Sequence, residues 1–86
     1  MSVAAQPSTL TLDRLPIGRS ARIVQLHGDP SRVIRLMELG LMEGETLEML
    51  GAAPLGDPIA VRIRGSRLAL RRHEAALIDV ECLESP

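Results

Sequence analysis

The chain has 86 residues, 45% hydrophobic and 24% charged, which is the composition of one small folded domain and not of a disordered segment or a two-domain protein. Its formal net charge is −1, all ten cations are arginine and there is no Phe, Tyr or Trp. That balance excludes the broad basic field and the stacking platforms on which nucleic-acid modules rely, and so small a core leaves little stability to support a strained catalytic centre.

Cys82 is the single cysteine, so no internal disulfide forms. Residues 1–9 lack the positive start and apolar run of a signal peptide, and no apolar stretch approaches the roughly 20 residues of a membrane helix. The expectation is a soluble cytoplasmic protein with no membrane insertion of its own.

Residues 1–9 are small, polar and broken by Pro7, and read as a tail before the single domain, 10–82, with 83–86 as a second tail. Pro16-Ile17-Gly18 makes a turn. Ala21 to Leu26 is apolar on both sides and reads as a strand buried on both, closed by Gly28.

Asp29-Pro30 starts a helix: the carboxylate caps free backbone N–H groups and proline supplies the φ of the first helical position. The helix is expected to run to about Leu39, with Gly40 in the left-handed conformation and Leu41 closing over Leu36. Val33, Leu36 and Met37 share one stripe and are expected to face the core. Ile34 and Leu39 lie off that stripe on opposite flanks, and either the surrounding chain covers them or they form an exposed partner-binding edge.

Thr46 to Leu50 alternates as a second strand with Leu47 and Met49 on one face. The stretch APLGDPIAVRIRG, residues 53–65, looks at first like a ligand loop. No helix opens after it as phosphate cradles require, and its prolines, glycine and Asp57 are the residues with which a chain leaves one strand and enters another. A hairpin follows, Ile59–Arg64 and Arg67–Arg71, with Gly65-Ser66 as a type II′ turn that sets Arg64 opposite Arg67 and Ile63 opposite Leu68. In this register apolar residues sort to one face and arginines to the other. A helical turn at Arg72–Ala76 and a last strand at Leu77–Glu81 complete a mainly β chain: a small SH3-like barrel of about five strands with one short helix between the first two.

Three sets of residues are site candidates. Arg62, Arg64, Arg67 and Arg71 form an outward arginine face, balanced either by Glu48 and solvent or by an anionic partner such as an acidic protein or a phosphate. His27 and His73, with a carboxylate such as Glu74, are the available metal ligands; no CxxC, HxxxH or HExxH spacing occurs, so a site would be weak or shared between two copies in a homodimer. Met37, Met42 and Met49 read as gap-fillers beside core positions and not as a soft-metal site. No nucleophile–base arrangement or phosphate-loop motif stands out, so no catalytic residue is assigned.

RLMELGLMEGETLEML followed by APLGDPIAVRIRGSRLALRRHEAALIDV resembles the FeoA family of bacterial ferrous-iron transport accessory proteins. The likeness runs from about Leu10 to Val80. It is carried by Leu15-Pro16-Ile17-Gly18, Leu39-Gly40-Leu41 with Gly44, residues 53–58 (APLGDP), Gly65, and Leu70-Arg71-Arg72 with Glu74-Ala75. The resemblance implies an SH3-like barrel working in the cytoplasm beside FeoB, the membrane transporter of Fe²⁺, and brings no agreed catalytic or iron-binding residue. An SH3-like domain of similar pattern also occurs in iron-dependent repressors of the diphtheria-toxin-repressor type, but no winged-helix region precedes Leu10. On this reading the chain is a non-enzymatic adaptor to which no cofactor is assigned, and the edge of Leu39, Gly40 and Leu41, with Ile34 nearby, is the expected contact with the cytosolic portion of the transporter. The rival is a transition-metal sensor or carrier taking Fe²⁺ or Zn²⁺ at His27 or His73, between two copies where needed.

Overall fold

The structure is a computed structural model that describes residues 9–83. Six strands form one antiparallel sheet in the order β1-β6-β2-β3-β4-β5: β1 Thr9–Thr11, β2 Ser20–Leu26, β3 Thr46–Ala52, β4 Ile59–Ile63, β5 Ser66–Leu70 and β6 Ile78–Cys82. A single 3₁₀ turn, Leu12–Arg14, follows β1. Helix α1, Pro30–Glu38, joins β2 to β3, and the one-turn helix α2, Arg72–Ala75, joins β5 to β6. The mainly β reading therefore holds.

The sheet buries one face. Ala21 and Ile23 of β2, Leu47 and Met49 of β3, Ile59, Val61 and Ile63 of β4, Leu70 of β5 and Ile78 and Val80 of β6 form one core cluster with Leu12, Leu15, Leu36, Leu41 and Ala75. Each recurs at every second position along its strand, and the outward positions carry charged side chains such as Glu48, Arg62, Arg67 and Glu81 beside the apolar Leu50, Ala60 and Ala69. Bulges in β2 between Ile23 and Gln25 and in β3 between Met49 and Gly51 bend the sheet around this core. The first bulge corrects the expectation of a strand buried on both faces: Val24, at the bulge, is exposed and Leu26 is only half-buried.

β1 was not expected. Three residues carry too little periodicity to be read as a strand, and this one exists through its partner, with Thr9, Leu10 and Thr11 paired to Glu81, Val80 and Asp79. Thr9 thus belongs to the sheet and not to the tail expected over 1–9. At the other end the Leu83 N–H donates to the Ser20 carbonyl at 2.9 Å. The remainder of both expected tails lies outside the described residues.

The hairpin register differs from expectation. Arg62 pairs with Arg67, Val61 with Leu68 and Ile59 with Leu70, while Ile63 and Ser66 flank the turn. The turn residues are therefore Arg64 and Gly65, both left-handed at φ 55° and 80°, which is the type I′ geometry whose twist matches the strands. Relative to the expected pairing each residue slides by two, an even shift, so the sorting of faces survives while every cross-strand neighbour changes.

Candidate docking surfaces around the first helix

Helix α1 begins and ends as its sequence dictates. The Arg32 N–H donates to Asp29 Oδ1 at 2.9 Å and the Ser31 hydroxyl to the same oxygen at 2.8 Å. These bonds, the one from the Arg32 backbone first, favour the ionised carboxylate and hold Asp29 below the ordinary value of 3.8. At the far end Gly40 N donates to Met37 O at 2.9 Å and Leu41 N to Leu36 O at 3.0 Å, the paired bonds of a Schellman stop, with Gly40 at φ 97°. Leu36 and Leu41 are both buried and close the helix onto the core.

That closure decides which apolar side chains on α1 are free. Ile34 is 54% exposed, Met37 44% and Leu39 38%. Met37 therefore does not face the core as its stripe suggested. Leu36 alone is buried on α1 while Val33 is half-buried, because the sheet underlies only a narrow part of the helix. Leu41, counted in the candidate edge, is fully buried, so its side chain offers nothing to a partner; Gly40 is half-buried.

Ile34 and Leu39 are about 140° apart around the helix, so they do not form one continuous edge. Ile34 lies one turn from Met37, which with Leu26, Val33, Met42 and Glu43 lines an apolar groove of about 410 Å³ along one flank of α1. Leu39 falls toward the other flank, the side of Arg35 and Leu36. Of the three methionines, only Met49 is buried; Met42 is half-buried.

The four arginines of the hairpin do not form one patch. Arg62 and Arg67 stand opposite each other, and Arg62 Nη1 lies 3.3 Å from Glu48 Oε1, its neighbour across β3 and β4. Arg64 sits in the turn with Nε 3.8 Å from Glu45 Oε1. Glu48 and Glu45 thus supply local counter-charge for two of the four. Arg71 follows the opposite end of β5, about 13 Å along the strand direction from Arg67 at ~3.3 Å per residue, and faces α1 instead.

The metal candidates are also dispersed. His27 Nε2 lies 2.7 Å from Asp79 Oδ2 at the surface, whereas His73 and Glu74 sit on α2, where Glu74 accepts the Arg71 N–H at 3.0 Å and lies 3.4 Å from Arg35 Nε. Among the described residues no group of three or more His, Cys, Asp or Glu side chains is placed to hold a metal ion. No helix among them is long and apolar enough to cross a membrane.

Comparison with known proteins assigns the chain. The model of the FeoA domain matches residues 10–82. A fusion of Fe(2+) transport protein A and the Fe(2+) transporter FeoB from Porphyromonas gingivalis is 37% identical over 76 residues, 88% of this chain but 9% of that much longer relative. The solution structure of the FeoA protein from Chlorobium tepidum is 41% identical with a TM-score of 0.80, covering 87% of this chain and 71% of that one. The crystal structure of Stenotrophomonas maltophilia FeoA complexed with zinc, described as a procaryotic SH3 domain protein, is 34% identical with a TM-score of 0.72, covering 84% and 89%. The SH3-like architecture and the matched motifs converge, and the chain belongs to the FeoA domain family.

Proposed function

We propose that this chain is a non-enzymatic, cytoplasmic accessory protein of ferrous-iron transport that acts by docking on the cytosolic portion of a FeoB-type transporter. The observation that carries the reading is the Porphyromonas gingivalis relative, in which a similar domain is one piece with an Fe(2+) transporter. Covalent attachment keeps two partners at high effective concentration, which favours pieces that meet, so the reading calls for a docking surface on this domain. Helix α1 supplies one, with Ile34 and Met37 exposed beside the apolar groove on one flank and Leu39 at the helix end. A pull-down of the transporter's cytosolic portion by the purified chain, with and without Fe²⁺ and guanine nucleotide, tests it. Specific retention supports docking; no retention under any of these conditions overturns it.

The zinc complex of the Stenotrophomonas maltophilia relative and the exposed His27–Asp79 pair support a second reading, a divalent-metal module completed by a second copy. Each chain then supplies two ligands, since no single chain gathers three among its described residues. Anaerobic Fe²⁺ titration of the wild type and of a His27→Ala/His73→Ala variant separates the readings: binding tighter than about 1 μM that vanishes in the variant favours the metal module.

A further inference from the structure

Between α1 and α2 lies a cleft of about 390 Å³ lined by Arg32, Arg35, Leu36, Arg71, His73, Glu74 and Leu77. Arg32, Arg35 and Leu36 share one face of α1 through their three- and four-residue spacing, and the chain leaving β5 brings Arg71 across from them. Gly28 turns the chain beside this recess at φ 119°, a conformation that side chains rarely adopt, while a Cβ there would make only ordinary contact with Arg32 and Leu77. Three arginines thus line one recess in a protein whose overall charge is −1.

Their counter-charge is incomplete. Glu74 is the one carboxylate in the cleft and is already engaged, with one oxygen on the Arg71 N–H and the other 3.4 Å from Arg35 Nε. Asp29 lies 3.8 Å from Arg32 Nε, outside the lining and well exposed. The Arg71 guanidinium forms no ion pair with any described residue. Counting His73 as neutral, the lining carries an excess of two positive charges.

We infer that this cleft binds a phosphate group. A phosphate carries about −1.5 to −2 charges near neutral pH and several strong acceptor oxygens, which matches the excess in the cleft, and guanidinium forks are the side chains best shaped to hold it. A lone carboxylate offers half that charge. The chain has no Phe, Tyr or Trp on which a base could stack, so the phosphate is the group on which recognition chiefly rests.

The test is a titration of the ¹⁵N-labelled protein followed by NMR, with inorganic phosphate, a nucleoside diphosphate and a glutamate-rich peptide as probes at matched ionic strength. Saturable shifts of the Arg32, Arg35 and Arg71 Nε–H signals with either phosphate probe support the site. Equal affinity for the two phosphate probes identifies free phosphate as sufficient, and tighter binding of the diphosphate identifies a phosphate ester. Arg32→Gln/Arg71→Gln is expected to weaken binding by about tenfold or more. Glu74→Gln removes the competing charge while its amide oxygen still accepts the Arg71 N–H, and is expected to tighten phosphate binding about threefold; this variant decides should the arginine variant fail to fold. No saturable shift, binding untouched by the arginine variant, binding unchanged or weakened by Glu74→Gln, or tighter binding of the acidic peptide overturns the inference.

Discussion

The backbone N–H of Arg72 donates to Asp57 Oδ1 at 3.0 Å, tying the first residue of α2 to the loop between β3 and β4. The Arg72 side chain extends the tie, with Nε on the Gly56 carbonyl and Nη1 on the Asp13 carbonyl at 2.7 Å. One arginine thus joins three segments far apart in sequence. It also places a cation beside Asp13, whose buried Oδ1 has no hydrogen-bond partner among the described residues. Arg72→Ala is expected to destabilise the fold by about 1–3 kcal/mol, since backbone acceptors lose their donors while the local apolar packing is unchanged. Chemical denaturation measures the loss, and hydrogen exchange should show it first at Gly56 and Leu15.

Arg64 occupies the left-handed region at φ 55°, where a side chain is strained and Asn is tolerated. Its ion pair with Glu45 spans 3.8 Å between exposed groups and offsets little of that strain. Arg64→Asn should therefore raise stability by about 0.5–1 kcal/mol, the reverse of what the Gly65-Ser66 turn would predict. A fall in the denaturation midpoint would show that Arg64 holds the hairpin through its charge.

These two sites mark the boundary of what was legible. The strands and α1 could be read because each repeats a pattern over several residues, as with Leu47–Met49, Ile59–Val61–Ile63 and the Asp29-Pro30 to Gly40-Leu41 frame. The hairpin faces could be read but its pairing could not, because a slide of two residues leaves the same alternation and only the turn conformation chooses. β1 was invisible because its three residues are a strand only against β6.

The candidate sites were less legible for the same reason. The alternation of the hairpin groups Arg71 with Arg62, Arg64 and Arg67, yet the end of β5 turns it toward Arg32 and Arg35, a juxtaposition that requires the packing of α2 against the rest of the chain. The i, i+3 spacing of Arg32 and Arg35 was the available signal. Met37 belongs to a stripe wider than the surface the sheet presents to α1.

Leu36 and Gly40 stabilise the end of α1 by different means, so they should fail differently. Leu36 is 2% exposed, and Leu36→Ala removes buried volume and leaves a cavity, for an expected loss of about 2–5 kcal/mol. A Cβ on Gly40 meets nothing within 4 Å, so Gly40→Ala is limited to the backbone penalty of a left-handed residue, about 1–2 kcal/mol, with Gly40→Asn milder. Thermal denaturation of the three variants should give that order.

Asp29 links α1 to pH. Its carboxyl is held below 3.8 by the Arg32 N–H and the Ser31 hydroxyl, so the folded state binds this proton more weakly than the unfolded chain does. The contribution is then full above the ordinary value and declines as pH falls through the lower folded value. Asp29→Asn keeps an acceptor for the Arg32 N–H but removes the titration, and should lower Tm at neutral pH by no more than a few degrees while flattening the acid limb of the stability profile. An acid limb identical to that of the wild type would assign it to other carboxylates.

Ile34 and Leu39 test the docking proposal because they sit on different sides of α1 and neither is needed to close the core. Ile34→Asp places a charge beside the Met37 groove, and Leu39→Lys places one at the helix end, where a cation complements the dipole and keeps the fold intact. If the transporter's cytosolic portion covers the groove, Ile34→Asp should weaken association by about tenfold or more, as loss of a buried anchor commonly does, with Leu39→Lys close to wild type. The reverse order would place the contact at the helix end, near the arginine cleft. Unchanged association and unchanged Fe²⁺ uptake in both folded variants would remove α1 from the interface and leave the outer face of the sheet as the surface to test.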